Sequence, residues 1–333
     1  MGRERSYGLH GLHLVVEEGA AVWEAAAAAA LHGRLAPFAL DSSQGEPPPP
    51  DLRFALSPDL PARPAAGRPV YDPPVGEVLY DEGEDLLYLR YGPRLGVLCE
   101  PGAGRARLAA AEPSEADLWP LSHPLFTLPL VELLKRRGLY AVHAAGLSRG
   151  GRALLLAGHS GAGKSTLTLA LARAGCGFLG DDTLFLDRPP GRPAGLRILA
   201  FPDEVDLTEE SVGFFPEAAA HLEEAPRAGW RKRQLRAEQV YRTEVVWECA
   251  PGALVFPRVA GTADSVLEPL DRAEALFELA PNVLLTEPRS SQAHLDALAA
   301  LVEASACYRL ATGRDLDGAV RLLEGVVDGL PPA

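Results

Sequence analysis

Gly158-His159-Ser160-Gly161-Ala162-Gly163-Lys164-Ser165-Thr166 decides how the rest of this chain is read. These nine residues fit G-x-x-x-x-G-K-[ST], a loop that wraps phosphate groups. Gly158, Gly161 and Gly163 supply backbone angles that a Cβ would forbid, so successive N–H groups, those of Ser160 and Ala162 included, turn toward one anion. A helix is expected from Ser165 to Ala174, and its positive dipole end points at the same anion. In such a loop the lysine, here Lys164, reaches the β- and γ-phosphates, and the first hydroxyl, Ser165 with Thr166 beside it, stands where Mg²⁺ binds. ATP and Mg²⁺ are therefore the expected cofactors. The flanks agree. Arg152 to Ala157 reads as a buried strand entering the loop, and Leu167, Ala170 and Leu171 share one helix face before Gly175 ends it.

Moving outward, Gly177-Phe178-Leu179 reads as a short buried strand ending at Gly180-Asp181-Asp182. Ligand-facing groups gather at that edge of an open α/β sheet. Asp181 and Asp182 are adjacent, so they point differently. One carboxylate then suits a metal, while its neighbour suits an acceptor hydroxyl as general base. The competing reading is that both cap the next turn. On the other side, Tyr140 to Leu147 is expected as one strand carrying His143. A lone histidine on an apolar strand is ordinarily a hydrogen-bonded core residue, but this strand precedes the loop strand, which makes His143 an active-site candidate. His159 sits inside the loop and is read as solvent-facing.

Two clusters lie further on. Asp203, Glu204 and Asp206 follow a strand ending at Phe201-Pro202; they offer a second metal ligand or, equally, a helix cap near Asp206–Thr208. Arg227, Arg231, Lys232, Arg233 and Arg236 form the densest basic run, suited to clamping phosphates or to a solvated face.

Composition limits the remaining options. The chain has 333 residues, 47% hydrophobic and 23% charged, with a net charge of −13. That length leaves room for one large domain or two ordinary ones. The acidity excludes general nucleic-acid binding, which needs a basic footprint. No apolar run is long enough to span a bilayer. Met1 to Ser6 is charged and lacks a following apolar core, so no secretory signal is expected. Cys99, Cys176, Cys249 and Cys307 are widely spaced, which points to reduced, buried thiols in a cytoplasmic protein rather than a metal site. Only three of the 32 basic residues are lysine: Lys135, Lys164 and Lys232. Lysine at 164 thus departs from the chain's arginine habit, and a compact ammonium fits a phosphate loop where a guanidinium fork is bulkier.

Residues 1–118 read as an α+β module: an alanine-rich helix over Gly19–Arg34, strands at Leu52–Leu56, Glu77–Tyr80, Leu86–Tyr91 and Leu95–Cys99, and a turn at Asp81–Glu84. Proline-rich connections lie between them. From 119 to 333 helices and strands alternate. A helix is expected at Phe126–Arg137, and strands at Arg197–Phe201, Val245–Cys249, Ala253–Val259 and Cys307–Ala311. Further helices are expected at Arg272–Leu279, Gln292–Ala304 and Leu316–Val327.

His143-Ala144-Ala145-Gly146, the loop Gly158–Thr166 and Asp181-Asp182, taken together, resemble the catalytic domain of HPr kinase/phosphorylase and its wider group. The intervals match too, with 21 residues from His143 to Lys164 and 17 from Lys164 to Asp181. The resemblance covers about 121 to 330 and is clear through Phe185. It implies an α/β fold, a phosphate-loop mixed sheet of the HPr kinase and phosphoenolpyruvate carboxykinase type. It further implies ATP- and Mg²⁺-dependent phosphorylation of a serine on a protein or peptide, a precursor peptide of a modification pathway included. On that pattern Lys164 and Ser165 hold phosphate and metal, Asp181 is the base, Asp182 the Mg²⁺ partner and His143 an accessory. The family's downstream glutamate-and-arginine signature is missing, so reverse phosphorylase activity is not implied. A small-molecule kinase and a non-catalytic nucleotide-binding module are the alternatives. No nucleic-acid or membrane partner is expected, and the oligomeric state is open, a homo-oligomer included.

Overall fold

The computed structural model describes residues 3–19, 21–40, 48–71, 73, 76–188, 195–222 and 232–331. By internal contacts the chain divides into Met1–Gly138 with Leu284–Ser291, and Leu139–Val283 with Gln292–Ala333.

In the first unit, strands Arg3–Leu9 (β1) and Leu12–Glu18 (β2) form a hairpin through His10-Gly11. Both turn residues have positive φ, 51° and 87°. Two left-handed residues make the mirror-image turn whose twist suits a tight hairpin, and Gly11 meets it without a Cβ clash. The alanine-rich helix is Val22–Leu35 (α1), where alanine's low side-chain entropy favours helix. Its Glu24 carboxylate accepts the Ala21 N–H at 2.7 Å and closes the first turn. Strands Leu52–Ser57 (β3), Arg68–Tyr71 (β4), Glu77–Asp81 (β5), Leu86–Tyr91 (β6), Leu95–Glu100 (β7) and Arg105–Ala110 (β8) complete the sheet. Its order is β1-β2-β3-β8-β7-β6-β5-β4. The pairs β2/β3 and β3/β8 are parallel. The expected turn after Asp81 is held by its own carboxylate, which accepts the Gly83 N–H at 3.0 Å.

Helices Leu118–Ser122 (α2) and Pro124–Lys135 (α3) also belong to this unit, so the division falls at Gly138 rather than after 118. The reason is burial. Phe126, Leu130, Leu133 and Leu134 of α3 are enclosed, and the Phe126 ring lies 4.7 Å from that of Phe54 on β3. Lys135 and Glu132 are fully buried and pair at 2.7 Å. Lys135 Nζ donates to the Leu284 carbonyl and the Thr286 hydroxyl donates to Glu132, both within 2.8 Å, which ties Leu284–Ser291 to α3.

The second unit is built on strands Leu139–Val142 (β9), Ala144–Arg149 (β10) and Arg152–Ala157 (β11), followed by helix Lys164–Arg173 (α4). Next come strands Gly177–Gly180 (β12), Leu184–Asp187 (β13), Arg197–Leu199 (β14) and Val205–Thr208 (β15), then helix Glu209–Val212 (α5). Strand Lys232–Leu235 (β16), helix Ala237–Tyr241 (α6), strands Glu248–Val259 (β17) and Val266–Pro269 (β18), and helix Arg272–Leu279 (α7) follow. Helix Pro288–Ala304 (α8), which belongs to this unit from Gln292 onward, strand Ala306–Thr312 (β19) and helix Leu316–Asp328 (α9) end it. The main sheet runs β12-β10-β11-β17-β14-β13-β9, with β19 on β17 and β18 on β19. It is a mixed sheet: β11/β17 and β17/β19 are parallel.

Two expectations are corrected here. Tyr140–Leu147 is two strands, because Val142 pairs with Leu184 of β13 whereas Ala144 pairs with Ala157 of β11. The chain changes partner at His143, which lies in neither strand. Conversely, the two strands expected between Val245 and Val259 are one from Glu248 onward, running through Pro251-Gly252 where the register against β11 shifts. A Cβ at Gly252 would stand 2.6 Å from the Ala153 carbonyl oxygen, so glycine permits this approach.

Strand β11 is apolar on both sides because both faces of the sheet are covered. Leu154 and Leu156 pack with Leu167, Leu171 and Phe178 and with Val320 and Leu323 of α9. Leu155 and Ala157 pack with Leu254, Phe256, Leu279, Leu298 and Leu301 on the other face. Each enclosed leucine contributes about 2 kcal/mol of transfer free energy, which makes β11 a stiff base for the loop at its end. All four cysteines are buried free thiols. Among the described residues no helix is long and apolar enough to cross a membrane.

Candidate active site

The chain leaves β11 at Ala157 and turns with φ of 144° at Gly158, 84° at Gly161 and 95° at Gly163. All three are left-handed values that L side chains resist, so the glycine spacing of the motif corresponds to the backbone it needs. Gly163 caps α4, and its carbonyl accepts the Leu167 N–H at 3.0 Å. His159, Ser160 and Gly161 form the exposed crest, whereas Ala162 is buried beneath it. His159 faces solvent as expected, and its Nδ1 lies 2.9 Å from the Ser160 carbonyl.

Lys164 folds back across the loop. Its Nζ donates to the carbonyls of Gly158 at 2.7 Å and His159 at 3.3 Å. The side chain is only 9% exposed. Burial pulls its pKa down, Asp182 and Asp181 oppose this, and the charge of Lys232 adds to it. An ammonium held by carbonyls alone is poorly compensated, and an anion in the loop would complete its environment.

The two aspartates differ sharply. Asp181 is 5% exposed, and its Oδ2 accepts the Ser165 hydroxyl at 2.6 Å. Among the described residues its Oδ1 is buried without a hydrogen-bond partner. Burial pushes the Asp181 carboxyl up to about 7, and the Ser165 hydrogen bond offsets only part of that. Gly180 fixes this orientation: a Cβ there would lie 2.6 Å from the Phe201 carbonyl oxygen, so the strand end sits close against that segment. Asp182 faces outward, its side chain 64% exposed, with Oδ1 3.2 Å from His143 Nδ1. The Thr183 hydroxyl donates to its other oxygen at 3.3 Å. Freed from both strands, His143 is placed beside Asp182.

Of the downstream clusters, the β15–β16 ribbon comes near the loop. Thr208 caps α5, its hydroxyl accepting the Ser211 N–H at 3.2 Å. The Ser211 hydroxyl in turn lies 2.9 Å from that of Thr166. Asp206 is half-buried and accepts Gln234 Nε2 at 2.9 Å. Burial raises its pKa, Gln234 and Lys232 resist, and Asp182 and Asp203 add to the rise. Asp203 is buried and accepts the Glu204 N–H at 2.9 Å. Arg236 stands 4.0 Å from Glu204 and 3.6 Å from Glu238. Arg227 and Arg231 lie outside the described residues.

Loop, carboxylate pair and His143 are thus brought together at one end of the sheet. Thr208, Ser211 and Gln234 are additions that no motif announces. Ser211 reaches Thr166 only because the ribbon folds back over α4, a contact 45 residues long in sequence.

No family model matches the sequence, and no curated protein matches it. Among solved structures, the HPr(Ser) kinase/phosphatase from Coxiella burnetii is similar at 13% identity, over 56% of this chain and 93% of that one, with a TM-score of 0.28. A score that low carries nothing for the site, whose support is its own residues.

Proposed function

We propose that this chain is an ATP- and Mg²⁺-dependent kinase that moves the γ-phosphoryl group to a serine hydroxyl of a protein or peptide. The observation that carries the reading is the Ser165–Asp181 hydrogen bond beside an outward-facing Asp182. Two carboxylates with opposite exposure fit two different tasks.

The donor set suits a hard cation. Ser165 Oγ and the unpartnered Asp181 Oδ1 are oxygen donors behind the loop, the ligand type Mg²⁺ takes. When bound, the metal neutralises charge on the β- and γ-phosphate oxygens. The loop N–H groups and the α4 dipole hold the phosphates, and Lys164 turns from the Gly158 carbonyl to meet them. Asp182 takes the proton of the incoming serine hydroxyl on its carboxylate as the oxygen attacks the γ-phosphorus and the bond to the β–γ bridging oxygen breaks, releasing ADP. His143 Nδ1 orients that carboxylate. We therefore exchange the roles that the family resemblance implies: Asp181 serves the metal and Asp182 is the base. A carboxyl that is buried and already engaged by Ser165 is poorly placed to meet an outside hydroxyl.

The test is incubation with γ-labelled ATP, Mg²⁺ and proteins or peptides encoded beside its gene. Label on a serine supports the proposal. Label on a metabolite makes it a small-molecule kinase, and binding without transfer makes it a regulatory module.

A further inference from the structure

Lys232 is one of only three lysines in the chain. Lys164 belongs to the loop and Lys135 to a buried ion pair in the first unit. Lys232 opens β16 and pairs in register with Thr208, while Gln234 pairs with Asp206. Paired residues of an antiparallel ribbon share a face, and alternate residues share it too. Asp206, Thr208, Lys232 and Gln234 therefore form one polar face, opposite Val205, Leu207 and Leu235 in the apolar core. That face is anchored to the phosphate loop. The Thr208 hydroxyl lies 3.0 Å from that of Ser211, which lies 2.9 Å from that of Thr166.

Lys232 is half-buried, and among the described residues its ammonium has no hydrogen bond or ion pair. Its register partner Thr208 is linked to the loop through Ser211 and Thr166, which carries Lys232 to the loop's side of the ribbon. A half-buried ammonium on the face that adjoins a phosphate loop is compensated when an anion binds there. Among the described residues Asp206 forms no ion pair with Lys232, and its Oδ1 is engaged by Gln234.

We infer that Lys232 is a second cation on the terminal phosphate of bound ATP, lying opposite Lys164 and released from contact when the nucleotide is a diphosphate. This rests on the kinase reading and names a residue that the loop motif does not contain. The Asp206–Gln234 bond holds the strand beneath it, so the ribbon acts as an arm that senses whether the phosphate to be transferred is present.

The experiment is equilibrium titration of ATP and of ADP, each with Mg²⁺, into the wild-type chain and into Lys232→Gln and Lys232→Arg. The wild type should prefer ATP. Lys232→Gln should weaken ATP binding about tenfold and leave ADP binding within about twofold, as expected for one charge-assisted contact. Lys232→Arg, which keeps the charge, should retain most of the preference. An ATP-to-ADP ratio unchanged in Lys232→Gln overturns the inference while leaving the kinase reading intact. Failure of the wild type to bind ATP overturns the kinase reading and this inference with it. Equal weakening of both nucleotides also overturns it, since that is the signature of a merely structural role.

Discussion

Replacing Asp181 by Asn should stabilise the metal-free protein, and by an amount that depends on pH. The Asp181 carboxyl is pushed from an ordinary 3.8 up to about 7, so the folded state holds its proton where the unfolded chain has released it. Stability from the neutral form is therefore complete below pH 3.8 and is lost as pH rises through about 7. At about 1.4 kcal/mol per pH unit, the buried charge costs about 4 kcal/mol at pH 8 but only about 2 kcal/mol at pH 5. Asn cannot ionise, and its amide oxygen still accepts the Ser165 hydroxyl. Urea unfolding of both proteins at the two pH values, without Mg²⁺, cancels any pH-independent effect of the substitution. The advantage of Asp181→Asn should grow by about 2–3 kcal/mol from pH 5 to pH 8. Adding Mg²⁺ at pH 8 should stabilise the wild type and not the variant. An advantage equal at both pH values would refute the account of Asp181 as a buried, strained carboxyl.

Further outcomes follow from the same geometry. Asp182→Asn should bind ATP with little change yet lose transfer by about 10² to 10⁴-fold in single-turnover assays, the range for a lost general base. Near-normal transfer would remove Asp182 from that role. Gly180→Ala drives a Cβ against the Phe201 carbonyl and should lower stability by about 1–3 kcal/mol in denaturant melts, weakening Mg²⁺-dependent ATP binding as Asp181 shifts. Glu132→Ala leaves the fully buried Lys135 without its carboxylate, and a loss of about 3 kcal/mol is expected in the first unit.

Much of the site is legible in sequence because its parts are local. The β11–loop–α4 stretch announces itself through glycine spacing and apolar runs, and α7 and α9 through helical periodicity. What escapes is decided by distant partners. Nothing in Tyr140–Leu147 shows that the strand breaks at His143, since the break arises from Leu184 and Ala157 competing for its two ends. Asp181 and Asp182 are equivalent on paper. The contact of Gly180 with Phe201, and the Ser165 hydroxyl, turn one inward and leave the other to solvent. Strands β13, β15, β16 and β18 have four residues each, too few to show a period. The β1–β2 hairpin escapes for a different reason: its signal is one glycine, Gly11, after a histidine in the left-handed region. Lys135 illustrates the limit best. Only the fold reveals that it is buried against Glu132 rather than exposed at a helix end.

Every role assigned to these residues requires Gly158–Thr166 to grip a nucleotide triphosphate with Mg²⁺. Calorimetric titration of ATP with Mg²⁺ into the wild type and into Lys164→Ala tests it most directly. One saturable site per chain is predicted for the wild type, weakened at least about tenfold by loss of the Lys164 contact. No saturable binding by the wild type, or equal affinity in the two proteins, would contradict it.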